Sequence, residues 1–117
     1  MPDSIVVFFI PGLATVLFAI PLILRRIPPN PLYGLRIPAT YKDEQVWYDA
    51  NAATGRDMAI FGVAISLLVF VLAAAGLRGN TFAITWASAL GAGAICTVVL
   101  GWTRANRMLR GRQTGGR

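Results

Sequence analysis

The polar side chains that could carry chemistry stand in one segment between two long apolar stretches. Asn30, Tyr33 and Arg36 lie in a proline-rich run, and Trp47 and Asn51 follow on a stretch with helical character. An amide, a phenol, a guanidinium and an indole donate hydrogen bonds to carbonyls, carboxylates or phosphates. We therefore expect binding chemistry here, and we predict that these five side chains converge in one candidate cluster for a ligand or partner.

Catalytic chemistry has little support in the sequence. The chain has no histidine and a single cysteine, Cys96, which lies within an apolar stretch and is expected to be a small packing residue. Asp43 and Glu44 are adjacent carboxylates, and adjacent residues of a helix point in different directions. No phosphate-binding glycine loop, zinc-protease motif or serine elbow occurs. We predict no catalytic residue, no metal site and no cofactor, and a protein that is not an enzyme.

Three apolar blocks must position the polar segment. They cover residues 5–24, 58–77 and 81–103, and none of them contains a charged residue. A helix rises about 1.5 Å per residue, so roughly 20 residues cross a hydrocarbon core of about 30 Å. The chain is 56% hydrophobic and only 14% charged, whereas a soluble domain carries about a quarter charged residues. The sequence predicts an all-α integral membrane bundle of three transmembrane helices, with one domain over 1–110 and a disordered basic tail over 111–117.

Charge placement predicts the orientation of this bundle. Ten of the 11 lysine and arginine residues lie in the linker 25–57 or after the third block, and only Arg78 lies between the second and third blocks. Basic residues stay on the cytoplasmic side of a membrane. We expect a plasma-membrane protein with its N-terminus outside and its C-terminus in the cytoplasm. The basic residues are expected to contact anionic lipid headgroups rather than nucleic acid.

The linker divides into a loop and an interfacial helix. The prolines of 27–38 exclude a regular helix there. Thr40 is expected to begin a helix, with Asp43 three residues on completing an approximate capping box. The helix of 41–56 can continue into the second span, and Gly55 is the expected break between them.

Small residues indicate where helices pack. Two stripes recur at helical spacing, one in the second block and one in the third: Gly55, Ala59, Gly62 and Ser66, and Ala89, Gly93, Thr97 and Gly101. Such stripes let helix backbones approach closely. We expect them to close a three-helix bundle, and a homodimer through one stripe is the alternative.

The three tryptophans stand where aromatic anchors belong. Trp47 lies beside the cytoplasmic interface, Trp86 near the outer end of the third span and Trp102 near its inner end. Indole rings concentrate at the two membrane–water interfaces. We expect all three to be interfacial.

The polar segment permits two interpretations. In the first it is a structural cap, in which Asn51 hydrogen-bonds the proline-rich loop and Trp47 covers it. In the second it is a binding site for a ligand or partner. Arg36 is expected to pair with Asp43, Glu44 or Asp49, or else to hold a lipid phosphate.

The linker resembles a family signature. The matching positions fall within residues 28–56 and are Pro29, Asn30, Tyr33, Gly34, Arg36, Thr40, Trp47, Asn51 and Gly55. This pattern is similar to that of the SdpI family, small bacterial membrane proteins named for immunity against a secreted killing peptide. The chain resembles the C-terminal three-helix unit of the longer members. The resemblance implies a bacterial plasma membrane, and immunity or membrane signalling with a peptide toxin as partner.

Two other functions stay open from the residues themselves. One is a non-catalytic accessory subunit of a larger membrane complex, which the small-residue stripes favour. The other is a binder or transporter of a lipid or small molecule, which the polar linker favours. Apart from Cys96 the spans hold no ionisable residue, which argues against an ion-coupled pump.

Overall fold

The computed structural model describes residues 5–30 and 34–115, and the regular structure in these ranges is entirely helical. A 3₁₀ turn over Val6–Phe9 leads into helix α1, Ile10–Ile23. A short helix α2, Pro38–Lys42, precedes the long helices α3, Glu44–Ala74, and α4, Gly79–Gly115. We call the end that carries the connection from α1 to α2 the loop end, and the end that carries the α3–α4 connection the turn end.

Three segments are long and apolar enough to cross a membrane: Val6–Ile23, Glu44–Ala74 and Gly79–Gln113. The described bundle is 59 Å long and about 20 Å wide. A bilayer with its headgroups is about 40–45 Å thick, so the bundle is longer than the membrane. The predicted all-α membrane bundle of three helices is confirmed.

Helix α3 lies in the middle, and both α1 and α4 pack against it. A Cβ atom on Gly62 would lie 2.7 Å from the carbonyl oxygen of Gly12 and 2.7 Å from Cγ2 of Val16. The absence of a side chain at Gly62 therefore allows the backbones of α1 and α3 to touch.

Glycines also set the contact between α3 and α4. A Cβ atom on Gly93 would overlap the ring of Phe61, and one on Gly101 would lie 2.9 Å from Oγ1 of Thr54. The expectation that the stripe of the third span faces another helix is confirmed at these two glycines.

The turn end is closed by aromatic side chains. The ring centroid of Phe8 lies 4.9 Å from that of Phe82 and 5.0 Å from that of Trp86. Trp86 is only 8% exposed and belongs to a core cluster. Trp47 is fully buried, whereas Trp102 is 47% exposed. Trp47 and Trp86 therefore pack inside the bundle, and the expectation that all three tryptophans lie at the membrane interfaces stays a prediction.

The linker helix differs from its predicted boundaries. Ile37 is the N-cap of α2, Pro38 is its first residue, and Thr40 occupies the third position rather than the cap. Asp43 is extended and caps α3. Helix α3 passes through Gly55 without a break. This glycine allows α1 to pack closely on α3, because a Cβ there would lie 3.0 Å from the carbonyl oxygen of Ala19.

Two further expectations differ from the structure. Helix α4 continues through Gly115, where the sequence predicts disorder from residue 111. Arg112 forms an ion pair with Asp43, and this contact gives the end of α4 a partner beyond the predicted span 81–103. Cys96 is exposed on α4 and so does not pack inside this chain.

Candidate functional site

Trp47 binds the connection that leaves α1. The chain turns at Arg25, which adopts a left-handed φ of 60°, and Arg25 pairs with Asp49 on α3. The indole Nε1 of Trp47 donates a hydrogen bond to the carbonyl of Ile27 at 2.7 Å. Proline has no backbone N–H, so this loop depends on donors that side chains supply.

Asn51 fixes the far side of the same connection. Its Oδ1 accepts a hydrogen bond from the N–H of Leu35 at 2.5 Å, and its Nδ2 donates to the carbonyl of Trp47 at 2.9 Å. The side chain is 2% exposed. Gly34 has a φ of +103°, and a Cβ there would lie 2.8 Å from Oδ1 of Asn51. Glycine is needed for both reasons, since other residues rarely adopt this φ.

Thr40 also binds the backbone of this connection, whereas the sequence predicted only that Thr40 begins a helix. Its hydroxyl accepts a hydrogen bond from the N–H of Ile37 at 3.1 Å. The same oxygen lies 2.8 Å from the carbonyl of Leu35 and 2.9 Å from that of Ile37. Thr40 is fully buried. We call Thr40, Trp47 and Asn51, with the backbone groups they bind, the loop cap.

Asn30 joins the loop cap only at its edge. Its Nδ2 donates to the carbonyl of Pro28 at 2.8 Å, and its own carbonyl accepts a hydrogen bond from the hydroxyl of Tyr41 at 2.6 Å. The Tyr41 ring centroid lies 5.5 Å from that of Trp47. Tyr33, the remaining aromatic of the predicted cluster, lies outside the described residues.

Arg36 lies one residue after Leu35, whose backbone N–H belongs to the loop cap. Arg36 is exposed and lines a groove on the side of the bundle. Asp43 and Asp49, two of its three predicted carboxylate partners, pair instead with Arg112 and Arg25. The hydrogen bond from Arg112 is the main cause that holds the pKa of Asp43 below its ordinary value.

An ion pair joins α3 to α4 at the loop end. Nη1 of Arg104 lies 2.8 Å from Oδ2 of Asp57, although neither atom makes a hydrogen bond. The two side chains are 29% and 25% exposed. Asp57 is thereby neutralised where α3 becomes apolar.

The groove beside Arg36 has a volume of about 560 Å³. We call it the lateral groove, because it lies between α1 and α4 with α3 as its floor. Its lining is Ala14, Thr15, Phe18, Leu22, Gly34, Leu35, Arg36, Thr54, Met58, Phe61, Ala94, Thr97 and Val98. Apart from Arg36 and three threonines the lining is apolar or glycine, so the groove suits a hydrophobic ligand.

The chemistry of these features is that of binding. In the ranges that the structure describes, no three His, Cys, Asp or Glu side chains come close enough to hold a metal ion. The loop cap saturates its own hydrogen bonds, whereas Arg36 and the lateral groove face outward.

Comparison with known proteins gives the family relationship of this chain. Residues 26–103 match the model of the SdpI/YfhL protein family. The matched stretch contains the whole loop cap, α2, α3 and most of α4. No curated protein and no solved structure gives a significant match. Because the family model covers more than half of the chain, this membrane protein belongs to the SdpI/YfhL family.

Proposed function

We propose that this protein protects a bacterium against a secreted antimicrobial peptide, the role for which its family is named. The observation that carries the proposal is the hydrogen bond from the N–H of Leu35 to Asn51. This bond fixes the backbone next to Arg36, within the region that matches the family model. A guanidinium on an ordered backbone is suited to recognising a carboxylate or a phosphate.

The proposal includes an orientation. Ten of the 11 basic residues lie in the linker or after the third span, which supports a cytoplasmic loop end and an outer turn end in the plasma membrane. Arg36 then lies at the cytoplasmic headgroup level, where it can contact a carboxylate or a phosphate. The apolar outer faces of α1 and α4 are open to a peptide that enters the bilayer.

The role we propose is non-catalytic. The side chains of the loop cap are engaged with backbone groups, and the lateral groove is lined by a guanidinium, three threonines and apolar residues or glycine. A guanidinium stays protonated at physiological pH and does not act as a general base. Binding and signalling fit these groups better than a reaction does.

A survival assay tests the proposal. A sensitive bacterium expresses the full chain and is challenged with the purified killing peptide for which the family is named. Wild-type protein should raise survival, and Arg36→Ala should lose this protection while its abundance in the membrane stays normal. Asn51→Ala should lose protection only in step with lowered abundance.

Arg78→Ala is the matched control, because Arg78 is an exposed arginine at the opposite end of the bundle. This variant should protect like the wild type. Failure of the wild-type chain to protect, or full protection by Arg36→Ala, would contradict the proposal.

A further inference from the structure

The lateral groove opens sideways. Helices α1 and α4 both pack on α3 and have little contact with each other. At the turn end the gap is closed by Phe8 on Phe82, and at the loop end Leu35 and Arg36 border it. At its edges Phe18 is 59% exposed and Val98 55% exposed. In a membrane this opening faces lipid.

Thr54 lines this groove, and its buried hydroxyl, which lies beside Gly101, has no hydrogen-bond partner. Other hydroxyls of the helices donate to the carbonyl four residues earlier, as Thr15, Ser66 and Thr97 do at 2.6–2.9 Å. Among the described hydroxyls that are buried, only that of Thr54 makes no hydrogen bond, although the residue is just 6% exposed. A buried hydroxyl without a partner is costly, so a ligand atom that accepts its proton would be favoured.

Thr54 and Arg36 line the same groove, and Gly101 lies beside Thr54 and Leu35. A Cβ on Gly101 would lie 2.9 Å from Oγ1 of Thr54 and 3.3 Å from Cδ2 of Leu35, the residue before Arg36. A cation and a hydroxyl donor are thus combined at the loop end of an apolar groove. A phospholipid has the matching order of groups: a phosphate, an ester carbonyl and an acyl chain.

We infer that the lateral groove binds one acyl chain of an anionic phospholipid. Arg36 holds the phosphate, and the hydroxyl of Thr54 donates to the ester carbonyl. The acyl chain runs along Met58, Phe61 and Val98. The volume of about 560 Å³ is within the range of about 300–1,000 Å³ for ligand pockets. The inference goes beyond the immunity proposal and does not depend on it.

Native mass spectrometry of the purified full chain tests the inference. The protein is released from detergent with equal amounts of phosphatidylglycerol and phosphatidylcholine. Wild-type protein should retain one phosphatidylglycerol in preference to phosphatidylcholine. Arg36→Gln should lower this retention about tenfold, since a hydrogen bond to a charged group is lost. Ala94→Phe should abolish retention by filling the groove.

Thr54→Val gives a readout that a purely structural role would not produce. Valine has nearly the same shape and removes the unpartnered hydroxyl, so the thermal midpoint of the lipid-free protein should rise. Retention of phosphatidylglycerol should fall severalfold in the same variant. A rise in stability together with a loss of lipid identifies the hydroxyl as a ligand donor.

Two exposed positions outside the groove serve as controls. Arg78→Gln and Ala87→Phe should retain phosphatidylglycerol like the wild type. Equal retention of the two lipids by wild-type protein, or equal loss in Ala94→Phe and Ala87→Phe, would overturn the inference. Displacement of the lipid by millimolar inorganic phosphate or by a hydrophobic peptide would also overturn it, because the site would then serve a free anion or a peptide.

Discussion

At the scale of single residues, Asn51 connects two parts of the linker through one side chain. Its amide oxygen binds the N–H of Leu35 and its amide nitrogen binds the carbonyl of Trp47. Replacement by alanine would leave the N–H of Leu35 without its partner inside the cap. We predict that Asn51→Ala lowers the free energy of unfolding by about 1–3 kcal/mol, measured by denaturant titration in detergent micelles.

Asn80 provides the control for this prediction, because it is exposed at the turn end. Asn80→Ala should change the free energy of unfolding by less than about 0.5 kcal/mol. If the two alanine variants proved equally stable, the loop cap would contribute nothing measurable to the fold.

The residue types predicted the loop cap better than they predicted the lateral groove and the place of Arg36 beside it. The pairing of Trp47 and Asn51 with the loop follows from a proline-rich stretch that lacks donors and from two donors on the next helix. The importance of Thr54 could not be predicted, because it depends on a missing hydrogen bond that only the structure reveals. The left-handed backbone at Gly34, two residues before Arg36, is likewise known only from the structure.

At the scale of elements, the stability of the bundle depends on how closely α1 approaches α3. A Cβ on Gly62 would lie 2.7 Å from a carbonyl oxygen of α1, and a backbone atom cannot move aside as a side chain does. We predict that Gly62→Ala lowers the free energy of unfolding by about 1–3 kcal/mol, the usual cost of overpacking. The measurement is the same denaturant titration.

Gly91 is the matched control, because it lies in α4 with no heavy atom within 4 Å of the position of an added Cβ. Alanine is favoured over glycine within a helix by roughly 0.5–1 kcal/mol. Gly91→Ala should therefore leave stability unchanged or raise it. A stabilising effect of Gly62→Ala as well would mean that α1 does not pack on α3 as described.

The helix boundaries show where sequence reasoning failed at this scale. Asp43 was expected to support a helix that begins at Thr40, yet its extended backbone, with φ −148° and ψ 122°, separates α2 from α3. Both placements satisfy the same preference of a carboxylate for a helix N-terminus. Gly55 was expected to break α3. It lies instead on a packed face of the helix, where the missing side chain lets α1 approach closely. Only the position of α1 distinguishes these two uses of a glycine.

At the scale of the whole molecule, the helices and their charges are arranged along one axis. Helices α1 and α4 both pack on α3, and three ion pairs add contacts at the loop end. Arg25–Asp49 ties the connection after α1 to α3, while Arg112–Asp43 and Arg104–Asp57 tie α4 to the first half of α3 and its N-cap. The turn end is held by apolar and aromatic contacts. The three spans followed from hydropathy and the charge asymmetry from the positions of the basic residues. The central place of α3 could not be predicted, because all three blocks are similarly apolar.

This asymmetry predicts the orientation in the membrane. Only Arg78 among the 11 basic residues belongs to the turn between the second and third spans, so the turn end should cross to the outside. In a Cys96→Ala background, Asn80→Cys should react with a membrane-impermeant maleimide on intact cells. Arg110→Cys should react only after the cells are permeabilised. If both positions were labelled from the same side, α4 would not span the bilayer. The three-helix membrane topology would then be wrong.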